Sequence, residues 1–377
     1  MPDYSKDFAL DPSHVWLNAA SEGPLPNVAA QALREAIVWK QSPHLLTIPK
    51  FQQVPLELKK SIAALIHVKS EDVILGNSAT YGIHLLANGL SWKAGDEIIL
   101  MQNDFPTDIL PWLSLEQKGV VVRQLKPKGH MLTPQEVAAA INPRTKLICL
   151  SYIHTFSGYP LDVAGIGKIC QEYGILYVIN LSQAAGAFEV NLEKLPVDAV
   201  VCAGYKWLLG PYGTGFCWIK KEVRERLDYP QNYWISLMDE QSLSSEGPMS
   251  LKDDHSARRY DMFGTANFFN YVPWRSSIEY LLSIGLENIQ AHNQALVNQF
   301  VDGLNKKCFH LISPEIKAER TNIAVFSDKD PARNQNLFNR LKDKGFHLAL
   351  WKGKLRVSAH IYNTPQDIQR LLEALDA

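Results

Sequence analysis

Two textures of apolar and polar positions divide the chain. Seven short apolar runs, DVILG (72–76), DEIILM (96–101), GVVVRQL (119–125), KLICLSY (146–152), ILYVIN (175–180), DAVVC (198–202) and TGFCWI (214–219), read as buried strands. Between most of them lie amphipathic stretches with helical spacing, among them TPQEVAAAI and VAGIGKICQEYG. Strand, crossover helix, strand is the order of a mostly parallel sheet covered by helices on both faces. Beyond about residue 275 the pattern changes: a long helical stretch, WRSSIEYLLSIGLENIQAHNQALVNQFVDGLN, and a final DIQRLLEALDA flank short strands TNIAVFS and KLRVSA. The pattern predicts an α/β fold with a smaller α+β unit at its C-terminal end.

Open parallel sheets bind ligands beyond the carboxyl ends of their strands, so the loops there are the places to look for chemistry. After the first run comes NSATYG, where backbone N–H groups and the hydroxyls of Ser78 and Thr80 fit either a phosphate cradle or an ordinary helix cap. The second run leads into DFPTD, which offers Phe105 and Asp108 either to a ligand or to a plain turn. The run ILYVIN ends in Asn180, with Gln183 three residues on. Lys206 stands in AGYKWLLGPYGTGF, between two runs that go inside. Such a lysine either snorkels to water or is an amine of lowered pKa able to form a Schiff base.

Composition narrows the partners. The chain has 377 residues, 46% of them apolar, enough for a large core, and 38 basic against 39 acidic side chains leave no net field for nucleic acid or an anionic membrane. A small-molecule partner is expected. The N-terminal residues MPDYSKDFALDPSH show no secretory signal, and no spanning segment is evident behind them, which points to the cytoplasm. The five cysteines, Cys149, Cys170, Cys202, Cys217 and Cys308, lack CxxC spacing and read as reduced core residues, with no metal site.

Together VWLNAASEGPLP, NSATYG, DFPTD, NLSQAAGA, AGYKWLLGPYGTGF, FGTANF and LRVSAHIYNTPQDI, in this order, resemble a pyridoxal-phosphate (PLP) enzyme of fold type I, in the class V aminotransferase superfamily, near its kynureninase and cysteine desulfurase-like branches. The resemblance implies a PLP-binding domain over 26–274, a small C-terminal domain over 275–377, and an N-terminal segment, 1–25, packed with the small domain. It implies that Lys206 carries the cofactor as a Schiff base and that Phe105 stacks on the ring. Asp108 and Asn180 would help fix the ring, Gln183 would bond its phenolic oxygen, and Ser78, Ala79, Thr80 and Tyr205 would bind the phosphate. Thr265, Asn267 and Trp234 would reach the phosphate of a neighbouring subunit, which implies a homodimer with composite sites. Arg356, with Asn18, would take the substrate carboxylate. The implied activity is lyase, elimination or aminotransferase chemistry at Cα or Cβ of an amino acid.

Two departures qualify that expectation. Asn180 stands in INLSQ where the family has an aspartate beside the ring nitrogen, and a neutral amide does not favour a protonated ring. The sequence is therefore also compatible with a weakened or non-catalytic protein that keeps the fold in a structural or regulatory role. No cysteine follows Cys308, so the nucleophilic cysteine of the usual desulfurases is missing. His84, His154 and His360 are more simply read as packed or solvated residues than as acid–base groups.

Overall fold

The computed structural model describes residues 2–376 except 239–240, 242–243, 252–255 and 265. A two-residue strand, β1 (Val15–Trp16), comes first. All seven predicted strands then form: β2 (Val73–Gly76), β3 (Glu97–Met101), β4 (Val121–Leu125), β5 (Thr145–Ser151), β6 (Leu176–Asn180), β7 (Ala199–Ala203) and β8 (Gly215–Ile219). They make one sheet in the order β2-β8-β7-β6-β5-β3-β4. Only β8 runs against its neighbours, pairing antiparallel with both β2 and β7. Every other strand therefore points the same way, and their carboxyl ends open along one edge.

The continuous apolar runs have a direct cause. Along β5, Leu147 and Cys149 face one buried layer while Ile148 and Leu150 face the other, so neither side of the strand meets water. The helix Pro134–Ala140 starts at a capping box between Thr133 and Glu136. The helix Val163–Tyr173 starts where Asp162 accepts the Gly165 N–H and stops at Gly174, whose φ of +64° suits a residue without a side chain.

One sequence expectation needs correction. The long helical stretch that begins at Trp274 belongs to two helices, Phe268–Ile284 and Leu286–Gly303, broken at Gly285 with φ +89°. The first of these packs on helices Asn27–Gln41 and Ile48–Ile66, so a boundary at 274/275 would cut a continuous helix that lies against the large unit.

The C-terminal part adds strands β9 (Phe309–Leu311), β10 (Ala324–Asp328), β11 (Phe346–His347), β12 (Ala349–Trp351) and β13 (Lys354–Val357). Four of them form an antiparallel sheet, β12-β13-β10-β9, whereas β11 pairs in parallel with β1. Its own core, including Phe300, Phe326, Leu341, Leu355 and Leu371, also takes in Val15 and Leu17. Directly after β1, Asn18 bridges to Ser358 just past β13, which brings the N-terminal segment and Arg356 to the open edge of the large sheet.

Candidate active site

The carboxyl ends of β2, β3, β5, β6 and β7 converge on a cavity with about 400 Å³ of space, part of it open to solvent. Ser78, Ala79, Thr80, Phe105, Asn180, Gln183, Tyr205 and Lys206 all line it, so most of the candidate residues meet at one place. Ser78 precedes the helix Ala79–Gly89 in extended conformation and makes no side-chain cap bond, which leaves the first-turn N–H groups for an anion. Gly215 allows this approach: a Cβ there would lie 2.6 Å from the Ser78 backbone. Tyr205 adds a phenol that burial pushes up to about 12, keeping it a hydroxyl donor at neutral pH.

Lys206 is buried, and its Nζ lies 4.9 Å from the centre of the Phe105 ring. Desolvation, followed by the nearby Arg356 charge, lowers its pKa to about 8, against weaker upward pulls from Cys202, Asp108 and Glu22. Roughly a tenth of the amine is therefore unprotonated at pH 7, far more than for a solvated lysine. The loop is held from outside by Gly23, whose N–H donates to the Tyr205 carbonyl at 2.8 Å. Phe105 in turn stacks on Phe156, with centroids 6.2 Å apart.

At the cavity floor, Asn180 donates its amide to Asp108 Oδ1 at 2.8 Å and accepts the Ser182 N–H at 2.9 Å. Asp108 is fully buried behind it and is absent from the cavity wall, so its contact with a ligand would run through Asn180. Burial pushes Asp108 up to about 8.

Arg356 is 2% exposed, and its recorded partners are neutral: Ser21 Oγ at 2.7 Å, Asn18 Oδ1 at 3.2 Å and the Thr155 carbonyl at 3.4 Å. Its Nε has no partner among the described residues. Burial lowers its pKa to about 9, which still leaves a cation at neutral pH. A buried cation without an anion costs several kcal/mol, on the order expected for a broken buried pair, and an incoming carboxylate offsets that cost. Gln183 is fixed by three contacts: it accepts the Trp207 indole N–H at 2.8 Å and donates to the Ala20 carbonyl at 3.0 Å and Thr155 Oγ1 at 3.3 Å. A hydrogen bond from its amide to a ligand would replace the longer Thr155 contact.

Other candidates stand apart. Trp234 is half-exposed at the start of the short helix Trp234–Leu237, and Asn267 is exposed before the helix Phe268–Ile284; neither lines the cavity. Thr265 lies outside the described residues. His360 is buried and donates to the Trp207 carbonyl, His154 is held between Ser157 and Asn103, and His84 is exposed. Four cysteines are buried and Cys308 is exposed; no cluster of metal-binding residues occurs among those described. No described helix is long and apolar enough to cross a membrane.

Sequence reading missed Ser151, Thr155, Ser182 and Thr107, all of which line the cavity, and Ser21 and Asp104 just behind it. For Thr155 the available signal was IHTFSG, polar residues directly after an apolar run, which is the same cue that marked the other loops.

The donor set suits a phosphorylated aromatic aldehyde: an open helix N-terminus, a ring face, an amide for a ring heteroatom and a reactive amine. The family described as class-V aminotransferases matches residues 48–371. A probable cysteine desulfurase of Methanothermobacter thermautotrophicus is 26% identical over 99% of this chain and 97% of its own length. An isopenicillin N epimerase of Streptomyces clavuligerus is 27% identical over 98% of this chain and 96% of its own. Among solved structures, a C-DES mutant with glycine covalently linked to the PLP cofactor has a TM-score of 0.90 at 20% identity, covering 100% of this chain and 99% of that one. The cystine C–S lyase C-DES in complex with cysteine persulfide gives 0.87 at 20% identity, covering 97% of each. The shared architecture is PLP fold type I. The chain belongs to the class-V aminotransferase family of PLP-dependent enzymes.

Proposed function

We propose that this chain uses PLP, held on Lys206, to act at Cα or Cβ of an amino acid, by elimination, lyase or aminotransferase chemistry. The observation that carries the reading is the buried Lys206 amine, its pKa lowered to about 8, facing the Phe105 ring in a cavity that also contains an open helix N-terminus. Ala79 and Thr80, with Ser78 and Tyr205, would hold the phosphate, Phe105 the ring face, Asn180 the ring nitrogen and Gln183 the phenolic oxygen. When bound, PLP supplies an aldehyde for a Schiff base and a ring that withdraws electrons from Cα.

The chain's own residues do the rest. Arg356 and Asn18 would orient the substrate by its carboxylate, setting which bond at Cα faces the ring. Lys206 would be the base that moves a proton at Cα, and its lowered pKa suits that task near neutral pH. The absence of any cysteine after Cys308 argues against persulfide chemistry on a protein thiol. The Tyr205 and FPTD features lean toward the kynureninase pattern of cofactor contacts. We further propose a homodimer in which Trp234, Thr265 and Asn267 complete the phosphate site of the partner.

Incubating the PLP-loaded protein with a panel of amino acids in deuterated water, followed by NMR, tests this reading. The expected result is Cα–H exchange, a keto acid or a fragment released from Cβ for at least one amino acid, lost in Lys206→Ala. No exchange or product with any amino acid, despite a full complement of Lys206-bound PLP, contradicts it and favours the non-catalytic alternative that Asn180 raises.

A further inference from the structure

Four side chains at and beneath the cavity floor form a buried relay, of which the reading above uses only Asn180. Ser151 Oγ lies 2.7 Å from Asp104 Oδ1 and 2.8 Å from Asp108 Oδ2, and Asp108 Oδ1 accepts the Asn180 amide at 2.8 Å. A serine hydroxyl has one hydrogen, whereas two ionised carboxylates are acceptors only. With both ionised, one of the two short oxygen–oxygen contacts would contain no proton. A proton on Asp108 removes the conflict, because Asp108 then donates to Ser151 and Ser151 donates to Asp104.

The remaining donors decide which carboxyl holds that proton. Asp104 accepts the backbone N–H groups of Phe105 at 2.8 Å and of Ser151 at 3.0 Å, the surroundings of a carboxylate. Among the described residues, Asp108 receives only the Asn180 amide besides the shared hydroxyl. Desolvation, and then the charge of Asp104, raise Asp108 to about 8; Asn180, Ser151 and Lys206 pull it down by less. The other titratable groups facing the relay are Cys149 from β5, near Asp108, and His154 and Lys352, near Asp104.

The orientation of Asn180 follows from its neighbours. The Ser182 backbone N–H can only donate, so the amide oxygen faces it and the NH2 group faces Asp108. One amide hydrogen serves Asp108, and the second remains on a residue that lines the cavity.

We infer that Asp108 is stored as an uncharged carboxylic acid and, with Ser151 and Asp104, fixes Asn180 as a hydrogen-bond donor, so that the cavity floor selects a heteroaromatic ring whose nitrogen is unprotonated. The ring half of this inference rests on the PLP reading above; the relay half does not. Asp104, Ser151 and Asp108 are positioning residues, acting through Asn180.

The relay is tested on the apoprotein by NMR of 13C-carboxyl-labelled aspartate across neutral pH. One buried carboxyl signal should stay in the protonated range at pH 7, vanish in Asp108→Asn and shift in Ser151→Ala. Asp108→Asn should still fold, since an amide also donates to Ser151 and accepts from Asn180. A wild-type spectrum in which every aspartate is ionised at pH 7 overturns the relay without recourse to any variant. The ring half is tested by loading PLP labelled with 15N in its ring: an unprotonated nitrogen shift is expected, moving to the protonated range in Asn180→Asp. A protonated nitrogen in the wild type overturns that half. If no adduct forms at Lys206, the ring half falls with the PLP reading, while the carboxyl spectrum still decides the relay.

Discussion

At the scale of single residues, the site is organised by charges that have lost water. Lys206 is unusual because burial and Arg356 both disfavour its ammonium form, bringing the pKa from 10.5 to about 8. Protonation disfavours nucleophilic attack, so the rate at which the apoprotein captures PLP should rise with pH and level off above about 8, followed by absorbance of the bound chromophore. A rate that keeps climbing steeply above pH 9 would show that the amine is not desolvated. Arg356 should matter through binding. Arg356→Ala should weaken the binding of an unreactive substrate analogue by roughly 30-fold or more, given ~2–5 kcal/mol for a buried charge pair that loses one partner. Arg356→Lys should restore little of it, because an ammonium lacks the planar fork. Lys206 was visible in the sequence as a cation between two apolar runs. The Asp104–Ser151 contact was not, because it joins a loop to the end of β5 across 47 positions and leaves no local pattern.

At the scale of elements, the site is a set of strand ends plus the loop that clamps them. Gly23 shows how tight that clamp is: a Cβ at this position would sit 2.1 Å from the Lys206 carbonyl oxygen and 2.7 Å from Leu209 Cδ2. Both segments would have to move. Gly23→Ala should cost about 1–3 kcal/mol in chemical denaturation, as overpacking does, and should reduce PLP occupancy disproportionately because the displaced atoms belong to the lysine loop. Wild-type stability and occupancy in that variant would refute the clamp. The strands were legible because each is buried on both faces and reads as an unbroken apolar run. The loop after β5 escaped notice for a different reason: Thr155 contributes to the cavity through its side chain and to Arg356 through its carbonyl, and a backbone acceptor has no sequence signature. The helix break at Gly285 was hidden by apolar spacing that continues through it, since a φ of +89° depends on the turn itself.

At the scale of the whole molecule, the N-terminal segment ties the two sheets together. β1 pairs with β11, Val15 and Leu17 enter the C-terminal core, and Ala20 receives the Gln183 amide within the large unit. Arg356 is thereby brought close enough to Lys206 for its charge to be felt there, although 150 residues separate them in sequence. The proposed assembly would draw on Trp234 and Asn267, which lie exposed and outside the cavity lining. Sedimentation should give a dimer, and Asn267→Ala should loosen PLP without altering the Lys206 environment of an isolated protomer; a monomer with full PLP affinity would contradict the composite site. The central claim is a covalent bond between one buried amine and PLP, and reductive trapping tests it most directly. Protein incubated with PLP, reduced with borohydride and digested with trypsin should yield a single phosphopyridoxyl adduct, on the peptide containing Lys206, and none in Lys206→Ala. An unmodified Lys206 peptide, or an adduct that persists in Lys206→Ala, would contradict the account.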